Sequence, residues 1–317
     1  MEKKKIKRYL KILLKKNYRE HINNVLDSQS FHLEKESESN NKEVLIIQRK
    51  NELVGTFSDY IVFLAYIEKA IQNNMIPIID RKTNKNYFLS GPPNDNTWEY
   101  FFEQPCKITL DDLSSLDYKI NRAYTIDLNA VSLLNCNEQI TLNYWREFAR
   151  KYIRLNDEMN NHVEEWHEKL IKNKRVLGVA IREGYKIWFE KTKVGANHAF
   201  QLEAVDMVKI AEGKKKEWNC DYVFVTCQTQ ETIDVFKNVF GESLLFYPRK
   251  RTIIEGNEAH SLRTMEEERQ NEKDYITEKY LLANCTSLLC SQNSGTEAAN
   301  IITKGFEHME CIDIGKR

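Results

Sequence analysis

Three short stretches carry residue types that could handle a charged ligand. Arg182 closes the apolar run V-L-G-V-A-I (Val176 to Ile181). A run this short with β-branched members reads as a buried strand of an α/β sheet. Open α/β sheets place their ligands at the carboxyl ends of strands, where Arg182 falls. A guanidinium there can grip a phosphate through two parallel hydrogen bonds, or it can close the strand with a structural ion pair. Y-V-F-V-T (Tyr222 to Thr226) reads as a second buried strand, with Gln228 in the turn behind it. Ser287 to Cys290 reads as a third, running into S-Q-N-S-G-T-E-A-A. Ser291, Asn293, Ser294, Gly295 and Thr296 thus stand where a strand turns into a helix. Hydroxyls and backbone N–H groups at such a helix start form an anion site. Arg249, in R-K-R at 249 to 251, stands at the start of a charged stretch from Pro248 to Asp274 that shows no clear period. It reads as a long loop whose basic start either covers a nucleotide diphosphate or is simply solvated. Thr277 to Ala283 reads as a helix after it.

The elements that must position these residues fall into two sets. In the first, Val44 to Gln48 reads as a strand, followed by a loop at Gly55 and a helix from about Tyr60 to Gln72. Ile76 to Ile79 then gives a strand ending at Asp80. That order is a Rossmann-like opening. Gly55 with Thr56 and Ser58 is not G-x-G-x-x-G, which argues against a standard NAD or FAD site. The Gly55 loop is either a plain turn or an approach to a ligand with Asp59 beside it. Trp98, Tyr100, Phe101 and Phe102 form an aromatic cluster that suits a core better than a sugar-stacking surface. Tyr124 to Leu128 reads as a further strand. Residues 139 to 172 read as charged helices leading to the second set. His162 and His167 lie five apart, not the four that puts two metal ligands on one helix face.

The 317 residues suffice for two domains and a substantial core. Lys and Arg number 47 against 47 Asp and Glu, so no overall field draws nucleic acid. No apolar window is long enough to span a membrane, and the short, interrupted run near the start does not read as a signal peptide. Residues 1 to 27 pattern as an amphipathic helix with Ile6, Leu10, Leu13 and Leu14 on one face. Residues 1 to 19 hold nine Lys or Arg against one Glu. Such a segment either lies on an anionic membrane surface or docks on another domain with its lysines solvated. Glu34 to Lys42 reads as a polar linker. Seven cysteines, an odd number with no C-x-x-C, read as buried reduced thiols of a cytoplasmic protein rather than as a zinc site.

The order V-x-G-V-x-x-R, then K-V-G…H, then D-Y-x-F-x-T, then Y-L-L-x-x-C…S-x-x-S-G resembles the donor-binding half of fucosyltransferases. The group meant is that of the α-1,6 core enzymes, the rhizobial nodulation enzyme and bacterial capsule or lipopolysaccharide relatives. L-V-G-T-F-S-D-Y (Leu53 to Tyr60) and N-T-W-E-Y-F-F-E-Q-P (Asn96 to Pro105) resemble segments of the bacterial members. The resemblance covers roughly residues 43 to 303. It implies a GT-B type α/β fold, two Rossmann-like domains facing across a cleft. The expected divisions are a basic helix and linker (1–42), an acceptor domain (43–172) and a nucleotide-sugar donor domain (173–317). It further implies a metal-independent, inverting transfer of a fucose-like sugar to a surface-glycan or lipid-linked acceptor, with no cofactor beyond a GDP-type donor substrate. A peripheral location at the inner face of the membrane would suit such an acceptor. Arg182 would hold the donor phosphates with Thr226, Gln228, Arg249 and the Ser291, Asn293, Ser294, Gly295 and Thr296 turn. His198 falls close to a histidine of the family pattern, and His198, Glu183 and Asp59 are the candidate bases. Ala180 stands where the family commonly has His, Tyr185 about where it has Asp, and Gln228 where relatives often carry an acid. Those departures leave two alternatives, a nucleotide-sugar-binding relative without catalysis and another Rossmann-type nucleotide-dependent transferase.

Overall fold

The β-branched runs of the chain assemble into two sheets, a mixed one and an all-parallel one, each in its own compact unit. The structure is a computed structural model that describes residues 33–35, 42–49, 55–82, 95–115, 117–125, 134, 139–182, 202–251 and 264–315. The two units are Met1–Asn156 and Asp157–Arg317. The 1–27 segment, Glu183, Tyr185 and His198 lie outside the described residues.

In the first unit, β1 (Leu33–Lys35), β2 (Glu43–Arg49), β3 (Ile76–Asp80) and β4 (Lys119–Thr125) form a sheet of order β1-β4-β2-β3. β2 runs parallel to both neighbours, with Ile46 opposite Ile78 on one side and Arg122 on the other, while β1 is antiparallel to β4. β4 begins five residues before the expected Tyr124, because K-I-N-R-A-Y-T alternates along its length and pairs from Lys119 onward. Helix α1 (Thr56–Gln72) follows β2 and starts four residues earlier than expected, placing Asp59 in its first turn. Phe57 and Tyr60 through Ile67 are all buried, so this helix is enclosed on every side. Each such side chain contributes roughly 1.5–3 kcal/mol by burial.

The aromatic segment belongs to this core. Trp98 stacks on Phe102 at 4.3 Å and meets Phe63 edge-on at 5.5 Å. Asn96 and Gln104 flank it and close the free side of β3: both donate to the Ile79 carbonyl, at 2.7 and 2.8 Å. Gln104 accepts from the Ile79 N–H (2.9 Å) and Asn96 from the Arg81 N–H (3.0 Å). Two side-chain amides therefore replace a neighbouring strand at an edge that would otherwise present open backbone groups. Helix α2 (Gln139–Tyr152) completes this unit.

The second unit opens with α3 (Asp157–Leu170). β5 (Val176–Ala180), α4 (Ala204–Glu217), β6 (Tyr222–Thr226), α5 (Gln230–Phe240), β7 (Leu244–Leu245), α6 (Met265–Ala283), β8 (Ser287–Ser291), α7 (Ser294–Ile302) and β9 (His308–Ile312) follow. The sheet order is β7-β6-β5-β8-β9, every pair parallel. The chain builds outward from β5 to one edge, then returns to β8 on its other side. The junction of β5 and β8 is thus the topological switch point, where doubly wound sheets hold ligands.

α6 starts at Met265, twelve residues before the expected helix, so Met265 to Asp274 of the supposed loop are helical. Its start is a capping box: the Thr264 hydroxyl accepts from Glu267 N–H and the Glu267 carboxylate accepts from Thr264 N–H. Gly178 of β5 explains how closely α6 lies on the sheet. A Cβ there would stand 2.8 Å from Leu282 Cδ1 and 3.2 Å from Cys285.

Among the described residues Cys220, Cys227, Cys285 and Cys290 are buried thiols, whereas Cys311 is an exposed thiol on the edge strand β9. No helix among the described residues is long and apolar enough to cross a membrane.

Candidate functional site

The carboxyl edge of the second sheet gathers most of the residues expected to meet a ligand. Arg182 lies two positions past β5 and is exposed. Thr226 ends β6 with its side chain buried, and Gln228 is exposed just beyond it. Ser291 ends β8, two residues before the cap of α7.

The α7 cap divides its residues by role. Asn293 Oδ1 accepts from Thr296 N–H, and Asn293 N–H donates to Thr296 Oγ1, both at 3.1 Å. The Ser291 carbonyl accepts from the Asn293 amide and the Thr296 hydroxyl, each at 3.1 Å. Asn293 and Thr296 are therefore engaged in building the helix start. The N–H groups of Ser294 and Gly295, at its tip, remain available as donors to a ligand among the described residues.

Two side chains from α6 converge on that tip. A Cβ on Gly295 would stand 2.8 Å from Tyr275 Oη and 3.1 Å from Lys279 Cε, so only glycine admits this approach. Lys279 Nζ donates to Thr226 Oγ1 at 3.0 Å and lies 5.3 Å from the Tyr275 ring centroid. Its ammonium thus reaches the end of β6 while its Cε lies against the start of α7. Burial pushes Lys279 down to about 8; Glu278 opposes that, while Arg249 adds to it. Burial pushes Tyr275 up to about 12 against the field of Arg182.

Arg249 takes another position from the one its place in the sequence suggested. Its side chain is buried, with Nε 3.1 Å from Glu278 Oε2 and Nη2 donating to the Cys227 carbonyl at 2.9 Å. Arg251 holds the other oxygen of Glu278 at 2.8 Å and donates to the Tyr247 carbonyl. Burial raises the Glu278 carboxyl while both guanidiniums favour its charged form. This fork ties the chain after β7 to α6 beneath the site.

In the first unit Asp59 is also buried between two arginines. Arg49 Nε is 3.2 Å from Oδ1 and Arg81 Nη1 is 3.2 Å from Oδ2. Burial raises its carboxyl; Arg81 and Arg49 pull the other way. Both oxygens face a guanidinium, an arrangement that fixes the start of α1 to the ends of β2 and β3. Gly55, at its N-cap, faces open space.

Sequence reasoning missed Lys279, Tyr275 and Glu278. The T-x-x-E signature at Thr264 was the available signal, because it starts the helix that carries all three. His162 turns out to be hydrogen-bonded to the Tyr247 hydroxyl at 3.1 Å, which in turn donates to Asp274. No cluster of three or more His, Cys, Asp or Glu side chains among the described residues could hold a metal ion.

Two α/β units, each built on a sheet with a parallel core, are the architecture of a GT-B type fold. Among solved structures, the chain is similar to the NodZ α-1,6-fucosyltransferase co-crystallised with GDP, at TM-score 0.56 and 15% identity over 83% of this chain and 93% of that one. The fucosyltransferase NodZ from Bradyrhizobium gives 0.56 and 15% over 83% and 94%. A variant of Arabidopsis thaliana FUT1 in complex with GDP gives 0.52 and 10% over 93% and 77%. At these identities the likeness is one of fold. No family model matches the chain, and no curated protein sequence matches it.

Proposed function

We propose that the chain is a glycosyltransferase that takes a sugar from a GDP-linked donor. One observation carries this reading: the arrangement of Arg182, Lys279 and the uncapped N–H groups of Ser294 and Gly295 at the switch point of the second sheet. Fixed positive groups and oriented backbone dipoles are what a departing diphosphate requires. The solved relatives of the fold that hold GDP support the choice of nucleotide.

In the proposed reaction an acceptor hydroxyl oxygen attacks the anomeric carbon from the face opposite the leaving group. The new C–O bond forms as the bond to the β-phosphate oxygen breaks, inverting the centre. The acceptor proton goes to a base, and the diphosphate leaves with the added negative charge. Glu183, His198 and Asp59 are the groups to test as base. Asp59 is the weakest of the three, because Arg49 and Arg81 already face both its oxygens. The fucose-like sugar, the glycan or lipid-linked acceptor and a location at an anionic membrane surface extend the same reading.

Differential scanning fluorimetry tests it directly. GDP at about one hundred times its dissociation constant adds about 2.7 kcal/mol of stability, and the shift persists in EDTA. A shift that needs magnesium or manganese removes the metal-independent mechanism, and no shift with GDP removes the donor. Release of sugar from GDP-fucose separates an enzyme from the non-catalytic binding relative that Ala180 and Tyr185 suggest.

A further inference from the structure

Lys279 is the feature of this site that folding alone does not explain. Its side chain is 6% exposed, yet no carboxylate among the described residues stands within ion-pair distance of its ammonium. The nearest acid in sequence, Glu278, has both oxygens taken by Arg249 and Arg251. An ammonium has three donors, and Thr226 Oγ1 accepts one of them. A buried charge without a counter-ion is costly and is retained where something else supplies the opposite charge. The ammonium stands at the end of β6 with its Cε against the tip of α7, beside the N–H groups of Ser294 and Gly295.

We propose that the counter-ion of Lys279 is the diphosphate of the donor, so that Lys279 is a second cationic ligand working beside Arg182. The inference rests on the nucleotide-sugar reading and adds to it a residue and a consequence. Because the ammonium in the ligand-free site is held near a pH where it loses its proton, diphosphate binding above that pH draws a proton onto Lys279. The groups facing it are Glu278 and Tyr275 on its own helix, Arg249 after β7, Cys227 after β6, Arg182 after β5 and Cys290 on β8. Burial pushes Tyr275 up to about 12, and the hydrogen bond with Cys311 together with burial keeps the Cys290 thiol protonated, so Cys227 is the other group to separate from Lys279.

Calorimetric titration of the full chain with GDP decides the matter. At about pH 7, Lys279→Met weakens GDP by about ten- to a hundredfold, as loss of a charge-assisted hydrogen bond requires, and Lys279→Arg weakens it less. Between about pH 8 and 9 the wild-type affinity falls by up to tenfold per pH unit. Titrations in two buffers of different ionisation heat then show uptake approaching one proton per GDP. The uptake persists in Cys227→Ser and vanishes in Lys279→Met. Wild-type binding with no proton uptake, or uptake that disappears in Cys227→Ser, overturns the role of Lys279 while leaving the donor site intact; this readout does not depend on any variant of Lys279 folding. Wild-type protein that binds neither GDP nor inorganic pyrophosphate removes the donor site and the proposal together.

Discussion

Arg182 and Lys279 divide the work of the site by geometry. Arg182 presents a planar fork from the end of β5, whereas Lys279 is a point charge enclosed by α6, β6 and α7. If Arg182 binds the donor phosphates, its contact strengthens as the leaving group gains charge. Arg182→Ala then lowers turnover by a hundredfold or more, about 2.7–4 kcal/mol in the transition state, and Arg182→Lys retains part of the rate. Normal turnover per folded molecule in Arg182→Ala, with only the melting temperature reduced, makes the residue a structural cap. Lys279 predicts an opposite sign for stability. Its folded pKa, about 8, lies below the ordinary lysine value of 10.5. Between those values the unfolded chain binds more protons than the folded one, so ligand-free stability from this group rises with pH across that window. Below it the buried charge costs on the order of 3 kcal/mol. Lys279→Met is accordingly expected to raise the melting temperature of the ligand-free protein at about pH 7 while weakening GDP. A fall in melting temperature across the same pH range relative to the variant defeats this account. The strand itself was legible because a short apolar run with β-branched members reads as a buried strand. Lys279 was illegible, since nothing in a sequence marks a lysine as buried.

α6 shows at the level of elements why that residue stayed hidden. A helix is usually recognised by an apolar stripe every three to four residues. In α6, Glu268, Glu272, Asp274, Glu278 and Lys279 are all buried, so polar residues occupy the inward face as well as the outward one. The period vanishes although the helix runs nineteen residues. Only the capping box marks its start. Thr264→Ala removes one side of that box and is expected to cost about 1 kcal/mol. Because Tyr275 and Lys279 sit two turns or more further on, GDP affinity should remain within about twofold. Hydrogen exchange on the first turn of α6, with GDP titration alongside, reads both. A tenfold loss of affinity would show that the end of α6 holds the site in place. β5, β6 and β8 stand at the other extreme, since strands buried on both faces read as continuous apolar runs. The start of α1 was missed for a further reason: T-F-S-D carries two hydroxyls and an acid, a loop-like composition, yet Thr56, Phe57 and Asp59 are all buried.

Over the whole chain a formal net charge of zero conceals a division. Residues 1–19 hold nine Lys or Arg and one Glu, which leaves 38 basic against 46 acidic residues in the remainder. The bulk of the molecule is therefore acidic and is repelled by an anionic surface, while its first residues are attracted to one. Near a bilayer rich in anionic lipid each basic residue contributes about 1 kcal/mol, and the field falls away within a Debye length of about 8–10 Å. On a helix lying in such a surface the apolar positions Ile6, Leu10, Leu13 and Leu14 would add burial. We propose that membrane attachment, if the acceptor is lipid-linked, uses this segment. Deleting residues 1–27 is expected to abolish sedimentation with vesicles rich in anionic lipid. The truncated protein should keep its GDP-induced thermal shift, because every residue assigned to the donor lies beyond Ser58. The intact chain should release from the same vesicles at high salt and ignore vesicles of neutral lipid. If the intact chain fails to sediment with anionic vesicles, or if the truncation lowers the melting temperature by several degrees, the segment is part of the folded protein. Its lysines are then a solvated face, and the acceptor is to be sought among soluble glycans.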